Sequence, residues 1–374
     1  MVLTVKIGTL FCGAGGKTLG AIAATGGTPV WAIEYDPEIA DLYRNNISTN
    51  IIVENILGID PRSLESPNLL LISPPCPNFS AAKVGRIETD NDRALAAKIC
   101  EFITTLYPEE ILIENVRGYR QSESYATIVD RLTTLGYYWD AQVFNFADFG
   151  VPQTRERLIV RASRIAPIPI VIPTHAKNPV NTIFNQQQKW VGWYEAIADL
   201  IPTLPRCELA NWQKLRMESR DVPDFALVER SGARSEMQIR GADHPSFTLR
   251  AMCGKLRPNF AQANILVSGQ DGIIRQGEAR SFTLTAGHTV NRILLAGGGQ
   301  AIPRKHNEPS VTVLANLAKG RILEDAICYR VSTPALARLQ TFPDWYRWSD
   351  REQINVKAIG NSVPPLAIER ILGG

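Results

Sequence analysis

Cys76 stands in the run Ser73-Pro74-Pro75-Cys76-Pro77-Asn78-Phe79-Ser80, directly after the apolar stretch Leu69–Ile72. A cysteine is most often a small buried hydrophobe. Packing does not call for three prolines around one thiol, however. They stiffen a loop and hold the sulfur at a strand end, where open α/β sheets bind their ligands. A second apolar run ends Ile111-Leu112-Ile113-Glu114-Asn115-Val116, which sets a carboxyl at a strand terminus. A carboxyl able to donate a proton beside a thiolate forms an acid–nucleophile pair. Further along, Gln153-Thr154-Arg155-Glu156-Arg157 opens another β-like run. Strand alternation would turn Arg155 and Arg157 to one side. That cationic side suits a thiolate, a base oxygen or a phosphate.

Near the N-terminus, the apolar run Thr4–Leu10 leads into Phe11-Cys12-Gly13-Ala14-Gly15-Gly16 and then a helical pattern. Glycines let a backbone approach a ligand closely, and a helix N-terminus favours an anionic group. Gly16-Lys17-Thr18 resembles the end of a P-loop, but that motif needs a glycine five residues before the one preceding its lysine, and position 11 is Phe. A Rossmann-like adenosine site instead predicts an acid at the end of the second strand. Glu34 stands there, after Val30-Trp31-Ala32-Ile33, with Tyr35 next to it to pack on a purine.

These groups need a scaffold that brings strand ends together. Strand-like runs at Thr4–Leu10, Thr28–Ile33, Leu69–Ile72 and Glu110–Ile113 alternate with helical patterns at Lys17–Ala24, Pro37–Asn46, Arg93–Leu106 and Tyr125–Leu135. That rhythm predicts an α/β fold, a parallel sheet with helices on both faces. A β pair, Tyr138–Phe146 with Leu158–Ala162, closes it. After Arg164 a Pro-rich stretch, residues 167–179, reads as a linker. Residues 180–330 have helical periodicity only around Val191–Leu200, and contain a weak repeat: Pro245–Leu249, Arg280–Leu284 and Pro309–Val313, each alternating as a half-buried strand would. Helical patterns return at Pro334–Thr341, Asp350–Lys357 and Pro365–Leu372.

The 374 residues, 45% hydrophobic and 21% charged, suit a soluble globular chain with one large or two medium domains. No apolar run reaches the roughly 18 residues of a membrane helix. The first ten residues lack a signal peptide's core, so the expected location is cytoplasmic, with no membrane partner. Six scattered cysteines without a CxxC pair, beside four histidines, predict neither a metal site nor a disulfide framework. Net charge is only +3, but residues 165–330 hold 20 Lys+Arg against 14 Asp+Glu, a balance that suits a polyanion or an ordinary basic surface. Arg230, Arg234, Arg240, Arg250, Lys255 and Arg257 are candidates for phosphate or base contacts.

Six blocks, in order and spacing, resemble the signatures of DNA cytosine-C5 methyltransferases of the bacterial restriction-modification type. They are Phe11 to Gly16, Ser73 to Cys76, Glu114-Asn115-Val116, Gln153-x-Arg155-x-Arg157, Arg338-Leu339-Gln340-x-Phe342-Pro343 and Gly360-Asn361-Ser362-Val363. The resemblance implies a Rossmann-like S-adenosylmethionine-dependent fold over residues 1–164 plus 345–374. A smaller β-rich target-recognition domain over 165–344 would read double-stranded DNA. It implies a monomer, with a restriction endonuclease as a functional rather than a physical partner. Carried over by position, Cys76 is the nucleophile, Glu114 the acid at the base, and Arg157 the residue on the base carbonyl, with Arg155 beside it. The S-adenosyl-L-methionine pocket would take Phe11, Cys12, Gly13, Ala14, Gly15, Gly16, Glu34, Tyr35, Asn55, Ile56, Pro75, Leu95, Asn361, Ser362 and Val363. Asn55 stands where the family usually has Asp, and Pro77-Asn78 where many members have Gln after the cysteine. Asn78–Asp92, with Lys83 and Arg86, would form a lid over a flipped base. A tRNA cytosine-C5 methyltransferase and a non-catalytic DNA-binding protein are the alternatives.

Overall fold

The computed structural model describes residues 4–75, 78–79, 88–180, 186–207, 225–231, 236–249, 264–267, 293–295, 304–305, 321–323 and 327–373. The chain divides into two units, Met1–Ala198 with Asp243–Ala261 and Thr333–Gly374, and Asp199–Ala242 with Gln262–Ser332. Residues 165–198, 243–261 and 333–344, placed by sequence in the recognition segment, group with the first unit.

Short, almost wholly buried apolar runs make the centre of the first unit. β1 (Lys6–Leu10), β2 (Thr28–Glu34), β3 (Ile51–Val53), β4 (Leu69–Ile72), β5 (Glu110–Asn115), β6 (Tyr138–Asn145) and β7 (Glu156–Ser163) form a seven-stranded sheet in the order β3-β2-β1-β4-β5-β7-β6. β1 to β5 run parallel, while β7 is antiparallel to both β5 and β6. Alternation explains β4: Leu70 and Ile72 join the core on one face, Leu69 and Leu71 the core on the other. The first core includes residues of α3 (Asp90–Leu106) and α4 (Glu123–Thr134), while α1 (Gly16–Thr25) lies on the second face and α2 (Pro37–Asn46) follows β2. Strand order reverses between β1 and β4, so a crevice opens at their carboxyl ends, the usual ligand position in such sheets. Leu10 pairs with Ile72 and Ile72 with Ile113. That register puts the loops after β1 and β4 and the Glu114 position side by side.

The Pro-rich stretch is more than a linker. Val171 is buried in the second core, the Pro169 carbonyl accepts a 2.7 Å bond from Arg161, and β8 (His175–Ala176) pairs with β9 (Gln188–Lys189). The helical pattern near 191–200 yields only α5 (Trp193–Ile197) and a 3-10 turn containing Pro202. The strand expected at 245–249 does not form. Pro245 has no N–H, and Ser246 makes a single bridge to Gln153, its amide donating to the Pro152 carbonyl. The other two repeats lie outside the described residues. The C-terminal segment supplies α6 (Thr333–Leu339), α7 (Glu352–Asn361) and α8 (Pro365–Gly373). Ala367, Ile368 and Ile371 of α8 share the second core with Ile7 of β1.

In the second unit, β10 (Arg206–Cys207), β11 (Phe225–Ser231), β12 (Glu236–Gly241), β13 (Asn264–Val267), β14 (Ile293–Leu295), β15 (Arg304–Lys305), β16 (Arg321–Leu323) and β17 (Ile327–Arg330) form two antiparallel sheets. Arg230 and Arg240 lie on the paired strands β11 and β12. Arg234, Arg250, Lys255 and Arg257 lie outside the described residues. No helix among the described residues is long and apolar enough to cross a membrane.

Candidate active site

The loop after β1 is shaped by backbone. Phe11, Gly13 and Gly15 take φ values of 52°, 56° and 81°. The Cys12 amide donates to the Ile33 carbonyl at 3.0 Å, pinning the loop to β2. Glu34 ends β2 and holds the loop from its side: Oε2 accepts from the Gly13 amide at 3.0 Å, and Oε1 from the Tyr35 and Asp36 amides at 3.0 and 3.1 Å. Cys12 and Ala14 bury their side chains. A Cβ on Gly13 would meet nothing within 4 Å, so this turn faces open space. At Gly16 the reason for glycine differs, since a Cβ there would come within 2.1 Å of the Val363 carbonyl oxygen. Ser362 is nearly buried and Asn361 exposed. Tyr35 is 72% exposed beside the loop.

Of the remaining pocket candidates, Ile56 and Leu95 belong to the first core, against which Phe11 packs. Asn55 is exposed and uses its side-chain oxygen to cap a short 3-10 turn, accepting from the Leu57 amide at 3.0 Å. Pro75 is exposed at the crevice edge.

Side chains build the other edge. Arg157 Nε lies 3.1 Å from Glu114 Oε1, and Ser73 Oγ donates to Glu114 Oε2 at 2.8 Å. Glu114 is buried, and both its oxygens have polar partners. Asn115 donates to the Pro74 carbonyl at 3.2 Å and ties the proline loop to β5. Cys76 itself, with Lys83 and Arg86, lies outside the described residues. Beyond it, Asn78 donates to Asp92 at 2.8 Å, and Asp92 closes a capping box with Thr89 at the start of α3. Phe79 is buried against Tyr119.

The two arginines do not share one task. Arg155 is buried and donates to the carbonyls of Leu249, at 2.9 Å, and Gly360, at 3.2 Å. Arg157 alone reaches Glu114. A fully buried amide chain runs alongside: Gln153 donates to Gln340 at 2.5 Å and accepts from the Leu249 amide at 3.1 Å, and Gln340 donates to the Ser362 carbonyl at 2.5 Å. Two contributors escaped the sequence reading. Tyr346 donates through its hydroxyl to the Ala14 carbonyl at 2.8 Å, and Lys17 is buried under the loop. The aromatic run around Tyr346 was the available signal for the first. For the second, Gly16-Lys17-Thr18 suggests only the end of a P-loop.

Comparison with known proteins gives the family. The sequence pattern described as "C-5 cytosine-specific DNA methylase" matches residues 5–373. Type II methyltransferase M.Bsp6I of Bacillus sp. (strain RFL6) is 32% identical over 161 residues, which cover 42% of this chain and 51% of that one. Type II methyltransferase M.NgoFVII of Neisseria gonorrhoeae is 32% identical over 369 residues, covering 97% and 84%. Against M.Bsp6I, therefore, the matched stretch spans about half the relative's length. The crystal structure of S. pombe Dnmt2 methyltransferase shares the fold, with a TM-score of 0.61 at 15% identity over 99% of this chain and 98% of that one. A β1 loop anchored by Glu34, a Glu114–Arg157 pair two strands away and a match across nearly the whole sequence lead to one assignment: the chain belongs to the C-5 cytosine-specific DNA methylase family.

Proposed function

We propose that the chain transfers a methyl group from S-adenosylmethionine to carbon 5 of a cytosine flipped out of duplex DNA, at a short recognition sequence. The observation that carries this reading is the Glu114–Arg157 pair, set at the same sheet edge as the glycine loop and the loop leading to Cys76.

The cofactor fits the residues present. Gly13 opens on free space, and Glu34, oriented by three amides, keeps lone pairs for a ribose diol. Tyr35 would lie on the adenine, with Phe11, Ile56, Pro75 and Leu95 around it and Asn361, Ser362 and Val363 at the amino-acid end. When bound, S-adenosylmethionine supplies a methyl group made electrophilic by its sulfonium.

Carbon 5 of cytosine is too weak a nucleophile to take that methyl unaided. The Cys76 thiolate adds to carbon 6, forming a carbon–sulfur bond and leaving carbon 5 as the nucleophilic end of an enamine. Glu114 offsets the charge that develops at ring nitrogen 3, and Arg157 holds the ring carbonyl oxygen. After methylation a base takes the carbon-5 proton, and those electrons expel the Cys76 sulfur and restore the ring. None of this can happen inside a stacked duplex, so the base must leave it, at a cost of a few kcal/mol. Arg155 acts through positioning, joining the start of β7 to the Leu249 and Gly360 backbone. The second unit, with its basic strands, would read DNA largely through phosphates. A restriction endonuclease of the same specificity would be the functional partner.

Bisulfite sequencing of DNA from cells expressing the chain should show protected cytosines within one short motif. Radiolabel from the cofactor should enter duplex DNA and not tRNA. Label in tRNA alone would overturn the DNA assignment, and label in neither would overturn the enzyme.

A further inference from the structure

Lys17, the second residue of α1, is a buried cation that the scheme above leaves without a task. It is 3% exposed, and its ammonium reaches back to the carbonyl oxygens of Leu10 at 3.4 Å and Phe11 at 3.5 Å. These two carbonyls bracket the turn in which Phe11 takes φ 52°, a conformation disfavoured for a bulky side chain and kept only where the surroundings enforce it. Three ionisable groups face the ammonium: Glu114 from β5, Glu34 from β2 and Cys12 from the loop itself. Glu114 is shared with Arg157, and burial pushes the Cys12 thiol well up, so it stays neutral. Burial outweighs the two carboxylates and lowers the Lys17 pKa to about 8. An apolar chain of the same length would fill this channel without desolvating a charge. A charge kept where it costs the fold is expected where a site depends on it.

We propose that Lys17 is a positioning residue of the cofactor loop, its ammonium clamping the Leu10 and Phe11 carbonyls so that Phe11 and the open side of the Gly13 turn stay aimed at the ligand. The proposal rests on the reading of this loop as the S-adenosylmethionine site. A neutral amine makes weaker bonds to the same carbonyls than an ammonium does. Cofactor affinity therefore falls as pH rises through the titration of Lys17. Stability runs the other way. The folded pKa lies below the unfolded value of 10.5, so the unfolded chain binds more protons between about 8 and 10.5. The cost to the fold is complete below that window and relieved across it as pH rises.

Lys17→Met is never charged and Lys17→Arg always is, so the two bracket the wild type. Calorimetric titration of each protein with S-adenosylmethionine at pH 7 and 9.5, with thermal unfolding of the ligand-free proteins, tests the proposal. The cofactor's own ionisations cancel in the ratio between proteins. At pH 7 Lys17→Met should bind about tenfold more weakly than the wild type, a loss of about one decade in Kd. At pH 9.5 the wild type should approach it, while Lys17→Arg holds its affinity. Lys17→Met should also unfold roughly 2–4 °C higher at pH 7. Equal affinities, a ratio that does not change with pH, or a Lys17→Met protein less stable than the wild type at pH 7 would each overturn the proposal, the last by making Lys17 a structural strut. A wild type that gives no binding at either pH would sink the cofactor reading, and the proposal with it.

Discussion

At the end of β1 the groups that face the crevice are backbone: a turn with three positive φ values, an amide held by Glu34, and a Gly16 pressed against the Val363 carbonyl. At the end of β5 they are side chains: Glu114 between Arg157 and Ser73, with Asn115 anchoring the proline loop. On the proposed function, the first edge would recognise by shape and fail when bulk is added. The second would work by charge and fail when charge is removed, even if shape is kept. An isosteric change at β5 should therefore leave binding intact and stop chemistry, whereas a single methyl group at the β1 loop should disturb the fold and binding together.

Glu114→Gln gives the sharpest contrast. Turnover should drop by about 10²–10⁴-fold, while the Kd for S-adenosylmethionine stays within about twofold. Equal losses in both, from single-turnover assays and calorimetry, would break the division of labour. Gly16→Ala comes next. A backbone carbonyl at 2.1 Å cannot swing aside as a side chain can, so denaturant melts should show a loss of about 1–3 kcal/mol with weakened cofactor binding. Gln153→Leu leaves Gln340 and the Leu249 amide short of a partner in a dry interior. About 1–3 kcal/mol of stability should go, with less effect on cofactor affinity than Gly16→Ala has. The smallest effect belongs to Tyr346→Phe, which removes one bond to the Ala14 carbonyl. A cost of about 0.5–1.5 kcal/mol, read by thermal melts, would confirm that the loop is braced by several weak contacts; a larger one would make Tyr346 its main support.

The same contrast explains what could be read from the sequence. β4 and α2 have the bounds that apolar pattern, proline and cap residues dictate locally, Leu69–Ile72 and Pro37–Asn46. Glu34, Glu114 and Arg157 were legible because strand ends and alternation place them. What escaped depends on distant partners. Tyr346 is 332 residues from Ala14, and Gln153 is 187 from Gln340. β3 has three residues, too few to show a period. Pro245–Leu249 carries strand alternation, but its hydrogen bonds go to residues 152–155 instead of a sheet. Arg155 and Arg157 look equivalent in the sequence; only the carbonyls of Leu249 and Gly360 separate them.

In the proposed mechanism one sulfur, that of Cys76, makes carbon 5 of cytosine reactive. Nucleoside mass spectrometry of DNA from cells expressing the wild type or Cys76→Ser tests it most directly, with calorimetry to verify that the variant still binds S-adenosylmethionine. The wild type should yield 5-methylcytosine and Cys76→Ser background alone. Equal 5-methylcytosine from both, or a methyl group on the exocyclic nitrogen of cytosine, would contradict it.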